Sequence, residues 1–72
     1  MKQKIDELTS REIEVLTLVA NGISNKKIAT QLNISTRTVE THRQRIMKKL
    51  GICHVAGLTK YAIKKGLVTL DS

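Results

Sequence analysis

Apolar side chains recur along this chain at helical intervals, and short polar punctuation separates the runs. Ile13, Leu16 and Ala20, with Val15 and Val19 beside them, predict a first helix. Thr9 fits its N-cap and Glu12, three residues on, completes a capping box, with Leu8 and Ile13 as the flanking hydrophobic staple. Gly22, after Asn21, supplies a left-handed stop. The device recurs at Ile23-Ser24, where Ser24 caps and Ile23 can staple to Ile28. Lys27 stands where the capping-box partner would be, so that box is incomplete. Ile28, Ala29 and Leu32 form the inner side of this second helix, which ends at Asn33, a residue tolerant of positive φ. Ile34-Ser35 repeats the opening for a third helix, from Thr36 to Leu50 with a stop at Gly51. A fourth segment, about 54–65, carries Leu58, Tyr61, Ala62 and Ile63 and is closed by Gly66. The expected fold is all-α, a compact four-helix domain over 8–68 with the fourth helix packing behind. Residues 1–7 read as a linker or N-terminal extension and 69–72 as a C-terminal tail.

The middle pair is the informative part. Only Asn33-Ile34-Ser35 joins the second helix to the third, the length of a helix-turn-helix corner. Small Ala29 lets the two backbones approach, and Ile28, Leu32, Ile34 and Val39 fill the angle between them. The same corner also serves purely structural helical hairpins, so the charge decides between the two.

Seventy-two residues make one domain, and such a chain buries only roughly 60% of its unfolded surface. Without Pro, Phe or Trp, and with one Tyr, its core must be aliphatic. The single cysteine, Cys53, excludes an internal disulfide and a cysteine cluster for zinc, and points to a reducing, cytoplasmic setting. No apolar run approaches the ~18 residues of a membrane span, and no membrane partner is expected. Thirteen Lys and Arg oppose six Asp and Glu, for a net charge of +7. The excess is concentrated: residues 1–22 sum to −1, residues 23–50 to +6, and residues 51–72 to +2. Positive charge gathered on a helix-turn-helix attracts a polyanion through counterion release.

At 100° per residue, Val39, Arg43, Ile46 and Leu50 share one side of the third helix, flanked by His42 and Met47. The opposite side presents Arg37, Thr41, Gln44 and Lys48, with Glu40 and Arg45 at its margins. Glu40 can accept from cytosine N4, Gln44 can pair bidentately with adenine, and the Thr41 methyl can meet a thymine methyl. Any surface helix has a polar outer side, and for each residue alone that plain reading stands beside the functional one. Lys26 and Lys27 follow the cap of the second helix, and Thr36, Arg37 and Thr38 begin the third, where backbone amides and helix dipoles favour phosphate.

Enzyme chemistry finds no inventory. His42 and His54 have no nucleophile partner and no metal-ligand spacing, so no catalytic residue, metal or cofactor is expected. His42 reads as a packed histidine bonded to backbone, Cys53 most simply as a small apolar residue between helices, with partial exposure and redox sensitivity left open, and the four glycines as helix-end residues.

Several stretches together resemble a known family. They are Leu8-Thr9-Ser10-Arg11-Glu12-Ile13-Glu14-Val15-Leu16, Asn21-Gly22, Asn25-Lys26-Lys27-Ile28-Ala29, Ser35-Thr36-Arg37-Thr38-Val39-Glu40-Thr41-His42-Arg43 and Ile46-Met47-Lys48-Lys49-Leu50-Gly51. The chain is similar over about 8–68 to the LuxR-type DNA-binding domain, nearest the NarL/FixJ branch of bacterial response regulators in two-component systems. The resemblance implies a transcriptional regulator whose third helix enters the major groove of double-stranded DNA. It implies Glu40, Thr41 and Gln44 at the bases, and Lys26, Arg37, Thr38, His42 and Arg45 near the backbone; Thr36 and Lys48 join the backbone set from the charge reading. It also places a homodimer contact on the fourth helix, at Leu58, Tyr61, Ala62 and Lys65, and makes RNA polymerase a possible partner. Two departures from the family pattern are Lys27, where an acidic residue is usual, and Cys53-His54-Val55-Ala56-Gly57 at the start of the fourth helix. Rival readings are a promoter-binding domain like the fourth region of a sigma factor, and a protein-interaction module on the same scaffold. Thr41-His42-Arg43 and the extra helix after Gly51 favour the LuxR type over the sigma factor.

Overall fold

The computed structural model describes residues 8–68. These form α1 (Ser10–Ala20), α2 (Asn25–Leu32), α3 (Thr36–Leu50) and α4 (Val55–Lys64), with no strand among the described residues. The expected extension, 1–7, and tail, 69–72, lie outside the described residues.

Each helix opens at a side-chain cap that satisfies one of its orphan amides. Thr9 Oγ1 accepts from the Glu12 N–H at 3.1 Å and the Glu12 carboxylate accepts from the Thr9 N–H at 3.0 Å, a complete capping box. Ser24 Oγ accepts from the Lys27 N–H at 3.2 Å, and Ser35 Oγ from the Thr38 N–H at 3.0 Å. The fourth cap was not legible as such: His54, expected inside the helix, precedes it, and its Nδ1 accepts from the Gly57 N–H at 3.1 Å. Gly57 thus sits in the first turn, at the N-terminal end of α4, where a side chain would be crowded. A Cβ there would stand 2.6 Å from Ile52 Cγ2 and 3.1 Å from His54 Cε1.

Closure follows one pattern. In each case the second or third residue past the helix donates back across the last turn: Ile23 N–H to Leu18 O, Ile34 to Ala29, Ile52 to Met47 and Leu67 to Ala62, all at 2.9–3.1 Å. This bond requires a left-handed residue just before the donor. Gly22, Gly51 and Gly66 take that place, and at the corner of the helix-turn-helix it is Asn33, with φ 60° and ψ 46°.

α1 packs against the other three helices, α2 packs on α3, and α4 lies against α1. Val15, Leu16, Ile28, Val39, Ile46, Leu58 and Ala62 are fully buried, so every helix contributes to one aliphatic core. Leu58 and Ala62 were expected at a dimer contact. Their 0% exposure removes them from it: α4 turns these residues inward against α1, and neither has surface to offer a second chain.

One charge is buried with this core. Glu12, 3% exposed, accepts from Lys49 Nζ at 2.8 Å and ties the start of α1 to the end of α3. Burial pushes the Glu12 carboxyl up, but hydrogen bonds from Lys49 and the Thr9 N–H, with the attraction of Lys49 and His42, hold it below its ordinary value. This tie and the apolar face of α3 together fix which side of that helix faces outward.

Candidate nucleic-acid interface

Helix α3 divides as its periodicity predicts. Val39, Ile46 and Leu50 are buried, whereas Arg37, Glu40, Thr41, Gln44, Arg45 and Lys48 are exposed. The three residues expected to read bases thus stand together on the outer surface. Glu40 and Gln44, one turn apart, line an open cleft of about 220 Å³ with Arg43 and Met47. The Thr41 hydroxyl donates to the Arg37 carbonyl at 3.1 Å, so its proton is already used and its methyl is the group left for an apolar contact.

Lys26 and Lys27 are exposed in the first turn of α2, which holds no acidic residue to oppose them. They border a second open hollow with Thr30 and Gln31. Thr36 and Arg37 are exposed in the first turn of α3, whose leading amides have no intrahelical acceptor. Thr38 is half-buried, its hydroxyl 2.9 Å from that of Ser35. Among the described residues the ion pairs are Arg11–Glu14 at 3.7 Å and Lys49–Glu12. Neither involves Lys26, Lys27, Arg37, Arg45 or Lys48, so this surface keeps its positive charge for an outside partner.

Two sequence expectations change here. His42 is half-buried, but its Nδ1 is enclosed with no hydrogen-bond partner, so the expected bond to backbone is absent. Cys53 lies between α3 and α4 as expected, yet it is exposed rather than packed.

The sequence also placed Arg43 on the inner side, with Val39, Ile46 and Leu50. Its backbone does sit there, but the side chain runs outward into the cleft and its Nη1 donates to Asn25 Oδ1 at 2.6 Å. An arginine 40° from the buried line of an amphipathic helix was the available signal, since its stem can lie on apolar surface while its head reaches the edge.

Residues 6–62 match the profile of bacterial regulatory proteins of the luxR family. The chain belongs to that family. Family membership and the exposed α3 surface of the helix-turn-helix make it a DNA-binding domain of transcription regulation. Its relatives in the luxR family include the transcriptional regulatory protein MctR of Rhizobium johnstonii, 50% identical over 64 residues, which are 89% of this chain and 30% of MctR. The response regulatory protein YgeK of Escherichia coli is 48% identical over 65 residues, 90% of this chain and 44% of YgeK. The oxygen regulatory protein NreC of Staphylococcus aureus is 48% identical over 61 residues, 85% of this chain and 28% of NreC. The chain thus spans less than half the length of these relatives. No helix among the described residues is long and apolar enough to cross a membrane.

Proposed function

We propose that the chain is the DNA-binding effector domain of a response regulator, placing α3 in the major groove of double-stranded DNA. Glu40, Thr41 and Gln44 read base edges, and Lys26, Thr36, Arg37, Thr38, Arg45 and Lys48 hold the phosphates around them. His42 belongs to the phosphate set with less reach, being half-buried. The observation that carries this reading is the exposed strip of α3 flanked by cations outside the described ion pairs, all on one helix-turn-helix. The reading assigns the chain no reaction, and it works in the cytoplasm, where DNA and polymerase are.

On DNA the domain acts as a homodimer through α4. With Leu58 and Ala62 in the core, Tyr61 and Lys65 remain of the proposed contact; both are half-buried, the Lys65 ammonium 5.7 Å from the Tyr61 ring centre. RNA polymerase is the partner through which a DNA-bound regulator alters transcription.

The test compares two substitutions on a duplex selected from a random pool. Gln44→Ala is expected to cost roughly 1–3 kcal/mol on that site and to relax preference at one base pair. Lys26→Ala is expected to weaken all duplexes alike and to reduce the salt slope by about 1, one phosphate being released. Exchange of the two effects would mean that another register meets DNA, and indifference to duplex DNA at low salt would favour the protein-interaction module.

A further inference from the structure

Asn25 and Arg43 are 18 residues apart, on α2 and α3, and a side-chain hydrogen bond joins them across those helices. The donor is a charged guanidinium, the bond is 2.6 Å and partly buried, and such charge-assisted bonds are the shorter and stronger kind. Its position matters more than its strength. Asn25 is the first residue of α2 and directly precedes Lys26, the proposed phosphate holder. Arg43 directly precedes Gln44 and lines the cleft that Glu40 and Gln44 border.

The two helices are joined covalently only at the far end of α2, through Asn33, Ile34 and Ser35. From that corner α2 extends about 12 Å, and Arg43 lies about 10 Å along α3. A second attachment at the open ends closes a triangle. Without it, a 10° change of angle about the corner moves the first turn of α2 by about 2 Å relative to the reading strip. Bidentate base contacts tolerate about 0.5 Å, so a hinge of that size separates holding the phosphate from reading the base.

We propose that the Asn25–Arg43 bond is a strut that holds the α2–α3 angle, making both side chains positioning residues for sequence discrimination. Through it the phosphate-holding end of α2 and the base-reading stretch of α3 keep one spacing. The inference rests on the assignment of α3 as the reading helix.

The experiment measures the ratio of affinity for the selected duplex to affinity for a shuffled duplex of the same composition, with the intact chain. The ratio cancels changes in general electrostatic attraction. Arg43→Met, which keeps length and loses the donor, and Asn25→Leu, which keeps shape and loses the acceptor, are each expected to lower the ratio about tenfold or more. The double variant falls no further than either single one, because both break the same bond. Asn25→Asp keeps the acceptor and retains the ratio within about threefold, even though its added charge weakens both duplexes. Circular dichroism at low temperature confirms that each variant is helical, and Asn25→Asp with Arg43 intact tests the strut without removing it. Additive losses in the double variant, an unchanged ratio in the two singles, or a collapsed ratio in Asn25→Asp would overturn the strut. Gln44→Ala keeps the two ideas apart: if it alters base preference while the strut variants do not, only the strut fails, and if it has no effect the assignment of α3 fails.

Discussion

Ile46→Ala is expected to lower stability by about 3 kcal/mol, because it deletes a fully buried side chain from the inner line of α3 and leaves a cavity. A 72-residue domain has roughly 4–11 kcal/mol in total. The loss therefore consumes a large share of it, and the thermal midpoint should fall by roughly 12–24 °C. Ile46 is two residues beyond Gln44 and on the other side of the helix, 0% exposed where Gln44 is open to solvent. The same helix thus carries two separable sets of residues: Ile46→Ala destabilises the domain, while Gln44→Ala leaves the melting curve in place and changes only the binding of DNA. Differential scanning calorimetry checks the first effect, and a midpoint for Ile46→Ala within 2 °C of the parent, as roughly set by, would mean that α3 does not seat on the core as described.

Removal of the Glu12 charge is the second large effect. The carboxylate is almost wholly buried, closes the capping box of α1 and accepts from Lys49. Glu12→Ala loses the cap partner and leaves the Lys49 ammonium without its carboxylate, at a cost of about 2 kcal/mol. Lys49 remains about one-third exposed, so its charge can turn toward water and the cost stays below that of breaking a wholly buried pair. The pH dependence has a definite sign. The folded-state pKa of Glu12 is lowered from its ordinary 4.5, so its contribution is fully present above that value and disappears as pH falls through the lower folded value. Glu12→Gln keeps the shape and an acceptor for Thr9 but cannot titrate. The stability difference between parent and Glu12→Gln is therefore expected to be largest above pH 4.5 and to shrink on acidification, as urea denaturation at several pH values would show. A difference that grows toward low pH would contradict the lowered pKa.

How much of this was legible beforehand depends on distance along the chain. The caps at Thr9, Ser24 and Ser35 and the stops at Gly22, Asn33 and Gly51 are written within three or four residues, and the structure has each of them. The outer strip of α3 follows from a period alone, because that helix is apolar on one side only. The orientation of α4 does not: Val55, Ala56, Leu58, Ala62 and Ile63 surround it, and only its packing on α1 shows that Leu58 and Ala62 turn inward while Val55 is 41% exposed. His54 escaped notice because histidine is an uncommon cap, and it serves here through an extended backbone at φ −146° and ψ 157°. The Glu12–Lys49 and Asn25–Arg43 bonds join residues 37 and 18 apart, separations over which a single sequence carries no pairing signal. Both are polar ties between helices, which local patterning leaves open.

Chemical-shift mapping of the labelled chain against its selected duplex tests most directly whether α3 is the surface that meets DNA. The account predicts that the amide signals of 36–48, together with those of Lys26 and Lys27, shift most and lose their response as salt rises. Shifts concentrated instead at 54–64, with those of Glu40, Thr41 and Gln44 unmoved, would contradict it.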